Sequence, residues 1–408
     1  MVIVQPGKMD HKNSLPEFIQ KIVKENVLEV FDAPAHYYTS DALSLDELAY
    51  WVAFNRVLGI GPIRFKLLLD YFADNLAEAW KADSKTLADA GLDQRTIESF
   101  LKQRATSNPQ QELEKLERLR IHVVTIRDGD YPYQLRDIPN APPVLYVAGQ
   151  LKYEEDKFAL AVVGTRKVSS YGRQVTQLFA KGLAKGSVVV VSGLAHGVDT
   201  LAHTATLDAG GRTIAVLASG LDTIYPSDNL GLARRIVESG QGALLSEYPL
   251  GVKPDSKNFP ARNRIISGLA MGVLVTEAPK QSGALITANF ALEHGRDVFA
   301  VPNSIYASGS MGANKLIQDG AYLVTSVEDI VVKMNLFLIP EQVEAQADLP
   351  ENEEERALMA LISHEPCHID EIIRISGLPT TTVASTLTIM ELKGMVKQVG
   401  SMQFVVAR

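Results

Sequence analysis

The chain has 408 residues, 46% of them hydrophobic and 7% aromatic, which is too long for one ordinary compact domain and supplies core for two or three. Its single cysteine, Cys367, excludes an internal disulfide framework, and no Cys/His spacing suits a zinc site. The first residues lack the basic-then-apolar layout of a secretion signal and no apolar run approaches the roughly 20 residues of a membrane span, so a soluble cytoplasmic protein without a membrane partner is expected.

The net charge of -8 argues at first sight against a nucleic-acid partner, because phosphate binding depends on local positive charge. Seven acids, Glu341, Glu344, Asp348, Glu351, Glu353, Glu354 and Glu355, fall in one stretch without a Lys or Arg; leaving it out takes -8 to -1. The remainder of the chain is near neutral.

Residues 1–42 mix polar, proline and short amphipathic pieces such as Phe18–Val30 and read as an extension with no assigned role. From Leu43 to about Arg120 the apolar residues, among them Leu48, Trp51 and Val52, recur at helical spacing, which predicts a small helical domain over 43–120. Inside it, Val57-Leu58-Gly59-Ile60-Gly61-Pro62 precedes an apolar helix from Ile63 to Phe72. A Gly-apolar-Gly turn opening a helix is the mark of a helix-hairpin-helix, whose free amides can meet a DNA phosphate. It equally suits a plain turn in a helical bundle or a protein-docking module.

From about 130 to 335 short β-branched runs alternate with helical segments, the pattern of a doubly wound, mainly parallel α/β sheet of Rossmann-like type. Strands are expected at 158–163, 187–191, 213–218, 243–246, 272–276, 297–301 and 321–324. The proline-rich segment from Asp130 through Tyr146 is expected to pack at the sheet edge. The acidic stretch 338–355, with Pro340 and Pro350, reads as a solvated linker. Beyond it, helices at 353–363, 368–375 and 380–392, the Gly377-Leu378-Pro379 turn and two short strands around Gly400 make a winged helix over 353–408. Its third helix offers Thr380, Thr381, Thr382, Ser385 and Thr388 but no arginine, so it suits protein contact as well as DNA reading.

Turns that lead from helix into strand in the parallel region are short and glycine-marked, as helix ends require. Turns that leave the strands are longer and polar. They comprise Gly164-Thr165-Arg166-Lys167, Ser192 through Gly197, Ser219 through Asp222, a long loop at 247–264, Pro279 through Gly283, and 302–314. All lie at the carboxyl ends of the strands, where open α/β sheets bind ligands. A dinucleotide is the default occupant, yet the second glycine of its fingerprint is replaced by Arg166, whose side chain would obstruct the pyrophosphate. The acid that would hold a ribose hydroxyl is replaced by Ser192. No NAD, FAD or other cofactor is therefore expected.

Arg166 can instead offer a planar two-pronged donor to a phosphate, with Lys167 and Arg173 nearby and free amides at the start of a helix over 171–185. The loop at 247–264 adds Lys253, Lys257, Arg262 and Arg264, opposed by Asp255, together with Phe259 and Asn263. Cations around an exposed aromatic suit a charged backbone and a base that stacks. The structural alternative pairs Arg262 and Arg264 with Glu247 or Glu277 and buries Phe259 in the core.

Gly164-Thr165-Arg166, Ser192 through Asp199, Asn258 through Leu269, Ser282 through Ala288 and Gly312 through Ile317, taken in order, closely resemble the DNA-processing protein A (DprA, or Smf) family of bacteria. The resemblance covers about 130–335, and helical and winged-helix flanks are common in that family. It implies a non-enzymatic protein that binds single-stranded DNA entering the cell in natural transformation, shields it, helps load the RecA recombinase, and forms a homodimer through the Rossmann-like domain. The candidate DNA-binding residues are Gly164, Arg166, Lys167, Gly193, His196, Lys257, Phe259, Arg262, Asn263, Arg264, Ser282 and Gly283. Two departures stand out: His196 occupies a position where many members have arginine, which weakens the field at neutral pH, and Asn303 follows Val301-Pro302 where glycine is usual.

The enzymatic alternative is a nucleotide hydrolase of the kind that removes ribose phosphate from cytokinin precursors, a nucleoside monophosphate phosphoribohydrolase. Its P-G-G-x-G-T-x-x-E turn, aligned from Pro279 with Gly283 as the fifth residue, puts Thr287 where the catalytic glutamate belongs. A pure interaction scaffold with a vestigial pocket is the third reading, and the cation cluster speaks against it.

Overall fold

The computed structural model describes residues 43–336, 353–363, 366–392, 396–399 and 402–406. The readings for 1–42 and for most of 338–355 lie outside the described residues. Two compact units divide between Met334 and Asn335.

In the first unit, helices Leu45–Asn55, Pro62–Tyr71, Leu76–Lys81, Ser84–Asp89, Gln94–Arg104 and Pro109–Arg118 come before the first strand among the described residues. Their starts are fixed locally. Ser44 and Glu47 form a capping box, and Asn75, Asp83, Asp93 and Asn108 each accept a bond from a first-turn amide. The helices close on an aromatic core in which Phe54 stacks on Phe100 with ring centroids 5.2 Å apart, and Trp51, Phe65 and Trp80 pack around them. Gly59 turns the chain with φ +99, and Gly61 precedes Pro62 as the first helical residue, so the predicted turn and helix are present.

Nine strands form one sheet, in the order β1 (His122–Thr125), β2 (Val144–Gly149), β6 (Gly242–Ser246), β5 (Thr213–Val216), β4 (Val189–Ser192), β3 (Ala159–Val163), β7 (Gly272–Val275), β8 (Asp297–Ala300) and β9 (Tyr322–Leu323). From β6 to β9 every pairing is parallel. The seven strands expected from the sequence are all present. Two more precede them: β2 pairs antiparallel with β6, and β1 antiparallel with β2. Residues 144–149 are therefore a strand inside the sheet, and the expectation that this segment merely packs at the edge is corrected. The prolines stop just before the strand, where Pro142 O accepts from the Tyr131 hydroxyl at 2.8 Å and Pro143 O from Ile126 N at 3.0 Å.

Alternate residues of the strands serve opposite faces. Val144, Tyr146, Ala148, Ala215 and Leu244 join the core that includes Trp51 and Phe54, so the helical segment and one sheet face share a single apolar core. Asn55 Nδ2 crosses that boundary to the Tyr146 hydroxyl at 3.2 Å. Leu145, Val147, Ala161, Ile214 and Leu245 face the other way, beneath helices Asn258–Gly268 and Gly283–Glu293. The chain runs outward from β3 through β4 and β5 to β6, then returns to place β7 on the other side of β3. The gap between β3 and β7 is the topological switch point.

The second unit holds helices Glu353–Met359, Ile369–Ser376 and Thr380–Leu392 with a small sheet in the order β10 (Cys367–His368), β12 (Gln403–Val406), β11 (Val396–Gln398). Leu358, Ile372, Val383, Leu387 and Phe404 are buried at its centre. Gly377, in the left-handed region at φ +67, ends the middle helix. No helix among the described residues is long and apolar enough to cross a membrane.

Candidate nucleic-acid interface

A crevice of about 570 Å³ opens at the switch point, between the turn after β3 and the turn after β7. The two turns are bonded directly, Thr165 N donating to Glu277 O at 2.8 Å. Gly164 is dictated by that approach, since a Cβ there would meet Val198 Cγ2 at 2.5 Å and Glu277 O at 2.8 Å. Of the candidate residues, Gly164, Arg166, Lys167, Phe259, Arg262, Asn263, Ser282 and Gly283 line the crevice.

The third wall is a helix where the sequence reading has a loop: the segment at 247–264 becomes helical from Asn258 to Gly268, and this is a correction. The helix sorts its residues by face. Phe259, Arg262, Asn263 and Ile266, spaced i, i+3, i+4 and i+7, all turn to the crevice. Ala261 and Arg264 turn away, into a separate recess of about 800 Å³ lined also by Gly61, Pro62 and Tyr248.

The cations consequently differ in kind. Arg166 is exposed, has no acidic partner among the described residues, and holds its guanidinium carbon 5.2 Å above the Phe259 ring. Lys167 and Lys257 are exposed as well, Lys257 standing at the start of the Asn258–Gly268 helix. Arg262 is only 4% exposed; its Nη1 donates to Gly193 O at 2.8 Å and to Val216 O, and its guanidinium lies 5.9 Å from the Phe259 ring. Burial pushes its pKa down to about 10, which leaves it charged at neutral pH. Arg264 pairs with Glu247, both nearly buried, as in the structural alternative.

Asp199, which sequence reasoning missed, is the carboxylate of this wall. Its Oδ2 accepts from Gly193 N and Ala195 N, both at 3.2 Å. Burial raises its pKa against the opposing pull of Arg262 and the two amides. Gly193 thus takes part through its backbone, locked between Asp199 and Arg262. His196 lies on the exposed side of this turn, with Nε2 3.8 Å from the Asp228 carboxylate.

The free amides expected at the start of the helix that runs over Ser170–Lys185 are partly taken, a second correction. Ser169 Oγ accepts from Gly172 N at 3.0 Å, and the buried Glu277 carboxylate accepts from Ser169 N at 2.9 Å. An anion already occupies the favourable end of the helix dipole. The other helix at the crevice begins at Gly283, where Ser282 Oγ accepts from Ala284 N at 3.3 Å and Asn263 Nδ2 donates to Gly283 O at 3.2 Å. Thr287, buried, lines the crevice on that helix, so this wall presents a hydroxyl where the hydrolase turn would present a carboxylate.

Fold and site together define an open, doubly wound α/β protein with exposed cations that have no acidic partner among the described residues, around an aromatic ring at its switch point, and a winged helix in the same chain. The model of the DNA recombination-mediator protein A family matches residues 122–335, and that of the DprA winged helix domain matches 342–401. The protein Smf of Synechocystis sp. is 37% identical over 394 residues, covering 88% of this chain and 98% of that protein. The DNA processing protein DprA of Streptococcus pneumoniae is 47% identical over 210 residues, 51% of this chain and 73% of that one. The X-ray structure of DprA from Streptococcus pneumoniae superposes with a TM-score of 0.61 at 37% identity, covering 70% of this chain and 97% of that chain. The chain belongs to the DNA recombination-mediator protein A (DprA/Smf) family, a family of DNA-processing proteins.

Proposed function

We propose that the switch-point crevice binds single-stranded DNA, and that the protein shields DNA entering the cell and helps load RecA onto it, as a homodimer joined through the Rossmann-like domain. The observation that carries the binding reading is the set of exposed cations with no acidic partner among the described residues, Arg166 beside Phe259 and Lys167 in the crevice and Lys257 at the start of the Asn258–Gly268 helix. A recessed aromatic ring can stack on an unpaired base but not on one inside a duplex, and cations at the rim suit the phosphates between bases. Arg166, at the place of a cofactor-binding glycine, opposes a dinucleotide, and Thr287 removes the acid/base residue of the hydrolase turn.

Fluorescence anisotropy with a poly-dT oligonucleotide over a range of salt tests the binding reading. Affinity is expected to fall steeply with salt, and Arg166→Ala or Lys257→Ala to weaken it about tenfold or more, the scale of a lost charge-assisted phosphate contact. Preference for duplex, or no effect from either substitution, overturns it. Pull-down of the host's RecA with and without oligonucleotide tests the loading role.

A further inference from the structure

On the reading that the crevice holds single-stranded DNA, we infer that Tyr225 is a second base-stacking position, which carries the strand out of the crevice past Phe259 toward His196. The Tyr225 and Phe259 ring centroids are 5.6 Å apart with the planes inclined by 59°. Tyr225 is not among the residues that line the crevice, and the residue is 46% exposed. Its hydroxyl bonds to nothing among the described residues. The ring therefore extends the aromatic surface outward without a polar contact to hold it.

The loop beneath it is fixed on both sides. Before the tyrosine, Ser219 Oγ donates to Thr223 O at 2.7 Å, the Asp222 carboxylate accepts from Gly251 N at 2.9 Å, and Leu221 and Ile224 are buried. After it, buried Asn229 donates through Nδ2 to Leu194 O at 2.7 Å and to Thr200 Oγ1 at 2.9 Å. Leu194 belongs to the turn that bears His196, and His196 in turn reaches Asp228, three residues beyond Tyr225. A ring carried on a fixed loop and set against Phe259 meets a ligand face with no ordering cost for the backbone beneath it. The Phe259 ring that it contacts lies 5.2 Å from the Arg166 guanidinium and 5.9 Å from that of Arg262.

The angle between the rings says how a strand would use them. One base cannot lie flat on two planes inclined by 59°, so each ring takes its own base and the sugar–phosphate chain bends between them. A stack of bases in helical register cannot satisfy both rings at once. The bend brings the intervening phosphate near Arg166, the exposed cation on the same ring system.

The test compares Tyr225→Ala, Tyr225→Phe and Arg166→Ala in binding to a dT oligonucleotide across a salt series, with the melting temperature of each variant measured alongside. Tyr225→Ala is expected to bind about tenfold more weakly, the scale of one lost base–aromatic stack, with an unchanged slope of log affinity against log salt. Tyr225→Phe should bind like the parent, and neither change should move the melting temperature. Wild-type binding by Tyr225→Ala together with weak binding by Arg166→Ala overturns the role of Tyr225 and leaves the DNA reading standing. Wild-type binding by both overturns the DNA reading itself. If Tyr225→Phe is as weak as Tyr225→Ala, the hydroxyl rather than the ring carries the contact, and stacking is refuted.

Discussion

Replacing Arg262 with methionine should separate holding the site from touching the ligand. In the parent its guanidinium is buried, donates to Gly193 O and Val216 O, and balances the buried Asp199 carboxylate. A hydrogen bond from a charged group contributes about 1.5–3 kcal/mol, and removing one partner of a buried charged pair costs about 3–5 kcal/mol because the other is stranded. These terms describe overlapping interactions, so about 3–5 kcal/mol is the whole expected loss for Arg262→Met. Each kcal/mol lowers the melting temperature by about 2–4 °C in domains of roughly 150–250 residues and by less in a larger unit, which gives a fall of at most roughly 6–20 °C. Arg166→Ala, on an exposed side chain, should stay within about 0.5 kcal/mol of the parent. Adding Asp199→Asn to Arg262→Met should restore part of the lost stability, since the stranded charge goes too. Differential scanning calorimetry with urea titration measures all four proteins. If Arg262→Met melts like the parent while its salt slope for dT drops by about 0.7, as expected of a lost phosphate contact, then Arg262 contacts DNA and the positioning role assigned from its burial is wrong.

Two further predictions concern buried charge elsewhere in the sheet unit. His203 is fully buried with Nδ1 2.7 Å from Thr213 Oγ1, and that hydroxyl donates to Val190 O, so Nδ1 carries a proton and is the donor. Burial, and secondarily Arg262, pushes its pKa down to about 3. Below pH ~6.5 the unfolded chain takes up a proton that the native state refuses, so stability falls as pH drops from about 6.5 toward 3, by about 2 kcal/mol at pH 5. His203→Gln should lose this increment, and an equal stability difference between parent and variant at pH 7 and pH 5 would refute the assignment. Arg212 grips Asp156 with two parallel bonds, Nε to Oδ1 at 2.6 Å and Nη2 to Oδ2 at 2.9 Å, and both side chains are almost wholly buried. Asp156→Ala should cost about 3–5 kcal/mol in urea unfolding by stranding the guanidinium, and a loss under 1 kcal/mol would count against it.

The parallel strands were legible because most are runs of β-branched and small apolar residues, several entered through a glycine-marked turn, as in Gly210-Gly211-Arg212 before β5 and Gly240-Gln241 before β6. The two antiparallel strands were not. His122–Thr125 is four residues long and follows the Pro109–Arg118 helix after a short turn, and Val144–Gly149 follows two prolines that look like a break. What makes them strands is a partner far along the chain, Ser246 against Tyr146 and Val147 against His122, and no local pattern announces a partner.

The site was legible to the extent that it depends on turns, and illegible where it depends on a helix face. Arg166 follows Gly164-Thr165 at the end of a strand, so the topology alone puts it at the crevice, and the glycine fingerprint it breaks is visible in the sequence. Arg262, Asn263 and Arg264 look like one cationic patch, and in a loop they would be one. Their phases became readable only with the helix. Successive residues turn by about 100°, which sends Arg262 inward to the Gly193 carbonyl, Asn263 to Gly283 and Arg264 to Glu247. Pro260 gave the signal that was available, because proline is favoured in a first helical turn, and here it is the third residue of the helix. With that start fixed, the spacing from Phe259 to Ile266 would have shown which arginine shares the aromatic's face and which is turned away. Three neighbouring side chains then divide into a buried brace, a crevice wall and an ion pair in another recess, so the exposed cations that line the crevice are Arg166 and Lys167 rather than the arginine pair that dominates the sequence.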